Sequence, residues 1–112
     1  MKKIHKDRYE LVKAFLKKCR GWTDESKTIL DQADFIDQDD GGMGSFSIVY
    51  GSKRTAVRDI AEATYIDEDG IETIISLLVD DDGLPTDVDF WKVDSSVLKK
   101  FPDADKLSIV VK

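Results

Sequence analysis

Two hydrophobic periods divide the chain, and the first is helical. Between residues 6 and 19 the apolar side chains recur every three or four positions, which is typical of an amphipathic helix. Gly21 is suited to end that helix, and Thr23 is suited to begin a second one that ends near Gln32. The apolar stripe consists of Leu11, Val12, Phe15, Leu16 and Cys19, with Ile4 and Arg8 extending it toward the N-terminus.

Beyond residue 32 the period becomes two, which predicts β-strands. We predict strands at residues 33–36, 46–50, 57–66, 71–79 and 84–93, with a further candidate at 107–111. Asp-Gly pairs end two turns at Gly70 and Gly83, 13 residues apart, and this pair is typical of tight hairpins. A short helical turn capped by Ser95 or Ser96 is predicted through Leu98 and Phe101.

The order of these elements predicts an α+β fold. Consecutive hairpins make neighbouring strands antiparallel, and helices then cover one face of the sheet. We therefore expect one N-terminal helix, or two, packed on an antiparallel β-meander of four to five strands. The length of 112 residues fits a single domain that spans residues 1–112.

The composition bears on the compartment. The only cysteine, Cys19, cannot form a disulfide within the chain, which favours a reducing environment. The basic start is interrupted by charges from Asp7 onward, so it lacks the apolar run of a signal peptide. The most apolar run, residues 74–79, is far shorter than the ~20 residues of a membrane helix. We expect a cytoplasmic protein without a membrane partner that is a monomer when free.

Charge is distributed unevenly along the chain. Residues 1–20 contain eight basic and two acidic residues, a net charge of +6, and residues 21–112 contain nine basic and 21 acidic residues, a net charge of −12. Two interpretations remain open. Either the basic helix lies beside the acidic body and neutralises it, or the acidic body faces outward toward a cationic partner.

Histidine and cysteine, which carry much of the catalytic and zinc-binding chemistry of proteins, are scarce in this sequence. His5 and Cys19 are the only histidine and cysteine, so a clustered zinc site is not expected, and His5 is expected to be exposed. An EF-hand loop aligned on Gly83 would place Leu78 at its first ligand position, where leucine cannot bind calcium. The glycine-rich stretch at residues 40–44 is acidic and precedes a strand, unlike a phosphate-binding loop. We therefore expect no enzyme, no cofactor and no nucleic-acid partner.

Four stretches occur together in one order: Asp40-Gly-Gly-Met-Gly-Ser45, Asp67-Glu-Asp-Gly-Ile71, Leu78-Val-Asp-Asp-Asp-Gly83 and Asp89-Phe-Trp-Lys-Val-Asp-Ser95. The pattern resembles a family of small, uncharacterised bacterial proteins with a DGGMGS turn, two acidic hairpins and a closing WKVD strand. The resemblance covers about residues 36–96. The family's Phe-Ser-Pro-like continuation is replaced here by Ser95-Ser-Val-Leu98, and a tail to Lys112 follows. The resemblance implies no activity for any residue, whereas the size and charge are like those of immunity proteins, by analogy.

These observations favour an antitoxin or immunity protein that binds and neutralises a cognate bacterial toxin, namely a basic nuclease of the contact-dependent growth inhibition type. Trp91 is an aromatic anchor if it is exposed and a core residue if it is not. One alternative is a metal-dependent accessory protein or small enzyme that uses the Asp-rich loops, and another is a domain that self-associates through a sheet edge. The predicted partner-binding residues are Asp37, Asp39, Asp40, Asp67, Glu68, Asp69, Asp80, Asp81, Asp82, Asp87, Asp89 and Trp91.

Overall fold

The fold was obtained as a computed structural model, which describes residues 6–19 and 21–112. It confirms the predicted α+β class, with two helices followed by antiparallel strands. The predicted positions of Ile4 and His5 lie outside the described residues. The elements are α1 (Lys6–Cys19), α2 (Asp24–Asp31), β1 (Asp34–Asp37), β2 (Phe46–Val49), β3 (Arg58–Ile66), β4 (Glu72–Val79), β5 (Pro85–Lys92) and β6 (Ser108–Val111).

The sheet has six strands in the order β1-β2-β5-β4-β3-β6, and every neighbouring pair is antiparallel. Strands β3, β4 and β5 form a three-stranded meander, joined by the two predicted Asp-Gly hairpins. The hairpin of β1 and β2 is added beside β5, and β6 is added beside β3. The meander is therefore the centre of the sheet, and shorter strands flank it on both sides.

Local sequence signals explain the ends of the helices. The Thr23 hydroxyl accepts a hydrogen bond from the Ser26 backbone N–H at 3.1 Å, as expected of an N-cap. Gly21 follows α1 with a φ of +83°, which glycine adopts without the steric cost that a side chain brings. Asp24 and Glu25 lie in the first turn of α2, where carboxylates interact favourably with the helix dipole.

The core lies between one face of the sheet and the helices. The predicted stripe of α1 supplies Leu11, Val12, Phe15 and Leu16, all of them buried. Alternate residues of the strands meet this stripe, as expected because successive side chains of a strand point to opposite faces. The buried residues of the sheet and of α2 include Leu30, Phe35, Phe46, Ile48, Ala61, Ala63, Ile75, Leu77, Val88 and Phe90.

The segment after β5 differs from the sequence prediction. The helical turn predicted between Ser95 and Phe101 is wrong, because residues 95–101 contain no helix. Ser95 has a φ of +62°, and Leu98 donates its backbone N–H to the Gly42 carbonyl at 3.0 Å, so the segment is held against a distant turn. A 3-10 helix occurs later, at Ala104–Lys106, and leads into β6. Among the described residues, no helix is long and apolar enough to span a membrane.

Candidate functional site

One face of the sheet is left without a covering layer, and we call it the open face. The two helices pack on the opposite face, so the open-face side chains meet solvent. Its positions follow from the strand registers, since residues paired across strands lie on the same face. The open face consists of Asp34, Ile36, Ser47, Val49, Asp59, Glu62, Thr64, Ile66, Glu72, Ile74, Ser76, Leu78, Asp87, Asp89, Trp91, Ser108 and Val110.

Trp91 is the largest side chain of the open face and is 52% exposed. It lies directly opposite Ile74 on β4, and Ile74 lies opposite Thr64 on β3. The sequence left open whether Trp91 lies in the core or on the surface. Its neighbours Phe90 and Lys92 are the buried residues, so Trp91 lies on the surface. Other exposed apolar side chains of the open face are Ile36, Ile66 and Val110. An exposed tryptophan among aliphatic side chains is typical of a protein-binding surface.

The charge on the open face is of one sign. Six of its positions are carboxylates and none is a lysine or arginine. Two cations reach it from the side: Lys53 lies 3.0 Å from Asp87, and Lys112 lies 3.1 Å from Asp59. Among residues 6–19 and 21–112, no cation forms an ion pair with Glu72 or Asp89. The open face therefore combines apolar area with carboxylates that the protein leaves uncompensated.

The DGGMGS stretch forms a turn that is stabilised by hydrogen bonds between its own residues. The Asp40 carboxylate accepts hydrogen bonds from the backbone N–H of Met43 at 3.1 Å and of Ser45 at 3.0 Å. Burial would raise the pKa of Asp40, but these hydrogen bonds outweigh it and lower the pKa below its ordinary value. The Ser45 hydroxyl accepts the Phe90 backbone N–H at 2.8 Å, which ties the turn to β5. The turn is therefore held against β5 at Phe90.

The lysine of the WKVD stretch is buried and paired. Lys92 Nζ donates to Asp67 at 2.9 Å, to Asp69 at 2.6 Å and to the Val97 carbonyl at 3.0 Å. Asp67 also accepts the backbone N–H groups of Lys99 at 2.7 Å and Lys100 at 3.0 Å. The β3–β4 turn, the end of β5 and the segment after it are thus joined through one carboxylate.

The pKa values of this pair follow from opposing effects. Burial alone would raise the pKa of Asp67, but the hydrogen bonds from Lys92 and from the backbone lower it to about 2. Burial alone would lower the pKa of Lys92, but Asp67 and Asp69 raise it above its ordinary value. Both groups are therefore charged at neutral pH, and their contacts are all internal, which indicates a structural role.

The β4–β5 turn is the strongest candidate for a metal site. One oxygen each from Asp80, Asp81 and Asp82 can lie within 4.8 Å of the others. However, Arg54 donates to both Asp80 and Asp82, and Asp80 also accepts the backbone N–H groups of Asp82 and Leu84. Burial would raise the pKa of Asp80, but the bonds from Arg54 and the backbone lower it. A guanidinium group already supplies the positive charge that a metal ion would bring.

A groove of about 380 Å³ between α2 and the β4–β5 turn is lined by the Asp82 carboxylate and by Leu84 and Tyr50. The metal alternative expects one pocket to hold at least two carboxylates of a defined set, and this groove contains only Asp82 of that set. The set consists of Asp37, Asp39, Asp67, Asp69, Asp80 and Asp82. Asp82 is paired there with Arg54 at 3.1 Å. The groove therefore gives the metal alternative no support, and that alternative stays a prediction.

The structure places the twelve predicted partner-binding residues in five different surroundings. Asp67 and Asp80 are buried, and Asp40 is half-buried within its own turn. Asp37 faces the helix side, where it pairs with Arg8 at 2.9 Å. Asp87, Asp89 and Trp91 lie together on the open face, whereas Asp39, Glu68, Asp69, Asp81 and Asp82 lie in exposed turns.

Several open-face residues escaped the sequence analysis. Ile74, Glu72, Ile66 and Val110 were not predicted as binding residues, although their strands were. The alternation along β4 was the available signal, because Thr73, Ile75 and Leu77 are fully buried and the residues between them are not. The apolar, β-branched run indicates a central strand, and it gives no sign of which alternate residues are exposed.

The sequence was compared with those of known proteins. Residues 1–102 match a family described as a domain of unknown function, DUF6984. The chain belongs to the DUF6984 family. Its DGGMGS and WKVD stretches lie within the match, but the match does not bear on their resemblance to a motif-defined bacterial family, which stays a prediction. The 3-10 helix and β6 lie beyond the DUF6984 match. No curated protein and no solved structure matches this chain.

Proposed function

We propose that the protein binds and neutralises a cationic protein, as an immunity protein does with its cognate toxin. The observation that carries this proposal is the open face, an uncovered sheet surface with Trp91 on the inner strand β5 and carboxylates beside it. A basic nuclease fits as the partner because its substrate cleft is positively charged for phosphate. The proposed contact is to the open face, so the buried Asp67 and Asp80 take no part in it.

The apolar part of the open face would supply most of the affinity. A half-exposed tryptophan loses its remaining contact with water when a partner covers it, and such side chains dominate binding energies. Ile74 lies beside Trp91 on β4. Val93 comes two residues after Trp91, lies on the same side of the sheet and is 44% exposed. Together they extend the apolar area around Trp91, which is the arrangement expected for an anchor with surrounding contacts.

The carboxylates would supply orientation and rate. Asp89 lies two residues from Trp91 on the same face, and Glu72 lies diagonally across on β4. Complementary charge raises the rate of encounter with a basic surface and disfavours partners of the wrong sign. The interpretation that α1 neutralises the acidic body applies to Asp37, which pairs with Arg8, but α1 lies on the other side of the sheet from Asp89.

The proposal is tested by co-expression with the protein encoded immediately upstream, followed by co-purification and a growth assay. We expect a complex and protection of cells that express that protein. Trp91→Ala should weaken the complex by about 30-fold or more, as expected of an aromatic anchor. Asp89→Lys should slow association, whereas Asp105→Lys, an exposed change outside the sheet, is the matched control and should not.

Two results would contradict the proposal. One is the absence of any complex with the neighbouring protein together with no protection of the cells. The other is a complex that forms equally well with Trp91→Ala and Asp89→Lys, because the contact would then lie elsewhere. Thermal melting of both variants excludes loss of folding as the cause of weaker binding.

A further inference from the structure

Strand β6 is the outer strand on one side of the sheet. It pairs with β3 through four residue pairs, from Thr64 opposite Ser108 to Ala61 opposite Val111. Its other edge meets no strand of the described chain. Val110 is 65% exposed and Val111 is 46% exposed, and both are β-branched residues that favour strand pairing. An apolar edge of this kind is a template for a further strand.

The backbone groups that point outward from β6 can be identified. The Lys112 N–H donates to the Ile60 carbonyl at 2.9 Å, so the backbone of Lys112 points toward β3. Since this direction alternates along an antiparallel strand, Val110 and Ser108 also point toward β3. Ile109 and Val111 therefore point their N–H and C=O groups away from the sheet. Two residues with free backbone groups at alternate positions are what a neighbouring strand requires.

The opposite edge of the sheet does not offer the same template. Strand β1 has a carboxylate at each end, Asp34 and Asp37. Charged side chains on an edge strand are among the usual protections against pairing with another strand. Between Leu107 and Lys112, β6 contains neither a charged residue nor a proline, which are the usual protections of an edge.

We propose that β6 pairs antiparallel with β6 of a second copy, centred on Val110. Val110 then faces Val110 of the partner on the open-face side, and Ile109 faces Val111 on the helix side. Ile109 and Val111 exchange the hydrogen bonds, which agrees with the outward direction of their backbone groups. A register centred on Ile109 would instead place Lys106 opposite Lys112 and bring two positive charges together.

The proposal is independent of the partner-binding function. A small edge contact of one short strand is expected to be weak, so the chain is a monomer at low concentration and pairs as the concentration rises. A two-fold axis perpendicular to the sheet places both open faces on the same side of a twelve-stranded sheet. Binding of a toxin and pairing through β6 can therefore be measured, and can fail, separately.

The register is tested by disulfide trapping in a Cys19→Ala background under mild oxidation. Val110→Cys should form a covalent dimer, because a non-hydrogen-bonded antiparallel pair has its Cα atoms about 4.5 Å apart, within disulfide range. Ser108→Cys is the matched control on the same face. In this register its Cα atoms lie about 13 Å apart, so it should stay monomeric. Equal cross-linking of both variants, or of neither, would overturn the register.

The edge itself is tested by sedimentation velocity over a range of concentration. We expect the native protein to approach twice the monomer mass, and Val111→Pro to stay a monomer while it melts like the native protein, because the Val111 N–H is not needed by β3. Val110→Pro is the contrasting variant, since it removes a hydrogen bond to β3 and should lower the melting temperature. A native protein that remains monomeric up to about 1 mM, or dimers that persist in Val111→Pro, would overturn the proposal.

Discussion

Among single residues, Asp67, a buried carboxylate in the β3–β4 turn, is the one that joins three segments of the chain. Its side chain accepts hydrogen bonds from Lys92, Lys99 and Lys100, the last two through their backbone N–H groups. Removing one member of a buried pair leaves the other charged and uncompensated, which is strongly destabilising. The sequence placed Asp67 among exposed turn residues, where aspartate is common for its turn chemistry alone.

We predict that the contribution of Asp67 to stability depends on pH. Its pKa is lowered from 3.8 to about 2, so the contribution is fully present above 3.8 and is lost as the pH falls through about 2. Asp67→Asn should lower the melting temperature by about 10 °C near neutral pH, and by less than half of that at about pH 2. Melting curves from about pH 6 to pH 2 measure this, with the exposed Asp81→Asn as the control. A difference that stays constant with pH would contradict the assignment.

At the scale of elements, the DGGMGS turn is the best example of a motif explained by packing. Gly44 has a φ of +112°, and a Cβ atom there would lie 2.9 Å from Phe90 Cδ2 and 3.0 Å from Leu98 Cδ2. Gly41 in the same turn has a φ of +79°, but a Cβ atom would meet nothing within 4 Å. Two glycines of one motif are thus required for different reasons, one for the backbone alone and one also for a close approach.

We predict that Gly44→Ala destabilises the protein more than Gly41→Ala does. Gly41→Ala should cost about 1 kcal/mol, the usual price of a left-handed backbone for a side chain. Gly44→Ala should cost about 2–4 kcal/mol, since the added methyl group also pushes Phe90 or Leu98 from its position. Urea unfolding of both variants measures the difference. Equal free energies of unfolding would show that the close approach at Gly44 is relieved without cost.

The elements that the sequence predicts well are those with an uninterrupted period. The stripe of α1 predicted the buried face of that helix correctly, and the Asp-Gly pairs predicted both hairpins. The position of β2 beside β5 could not be predicted, because a pairing between distant segments leaves no local pattern. The prediction of a helical turn in residues 95–101 was wrong for a related reason. The conformation of this segment depends on Gly42, which is remote in sequence, and on Lys92, which is buried.

The candidate site was predictable only in part. Asp87, Asp89 and Trp91 were predicted because Trp91 stands among aspartates in the sequence. Their counterparts on β4 were hidden in an apolar run, and whether Ile74 is covered depends on which face the helices occupy. Conversely, Asp67 and Asp80 have the sequence signature of exposed turns, and only the positions of Lys92 and Arg54 place them inside the fold.

Across the whole molecule, the carboxylates of the turns and those of the open face have different surroundings. Arg8, Arg54 and Lys92 compensate Asp37, Asp80 and Asp67, which lie in or beside turns. On the open face the two flanking lysines reach only some of the carboxylates, and no cation in the described part of the chain pairs with Glu72 or Asp89. The buried carboxylates of the turns are thus compensated, whereas those of the open face are compensated only in part.

We predict from this distribution that divalent cations do not stabilise the protein. Arg54 already pairs with Asp80 and Asp82, so a calcium or magnesium ion would have to displace a guanidinium group from a partly buried carboxylate. The melting temperature in a few millimolar of either chloride should equal that in sodium chloride of the same ionic strength. Arg54→Gln is the informative variant, because it leaves the carboxylates of the β4–β5 turn without their cation and should make the melting temperature respond to calcium. A rise of several degrees with the native protein would instead favour the metal-dependent alternative, since only a site that binds the folded state raises the melting temperature in this way.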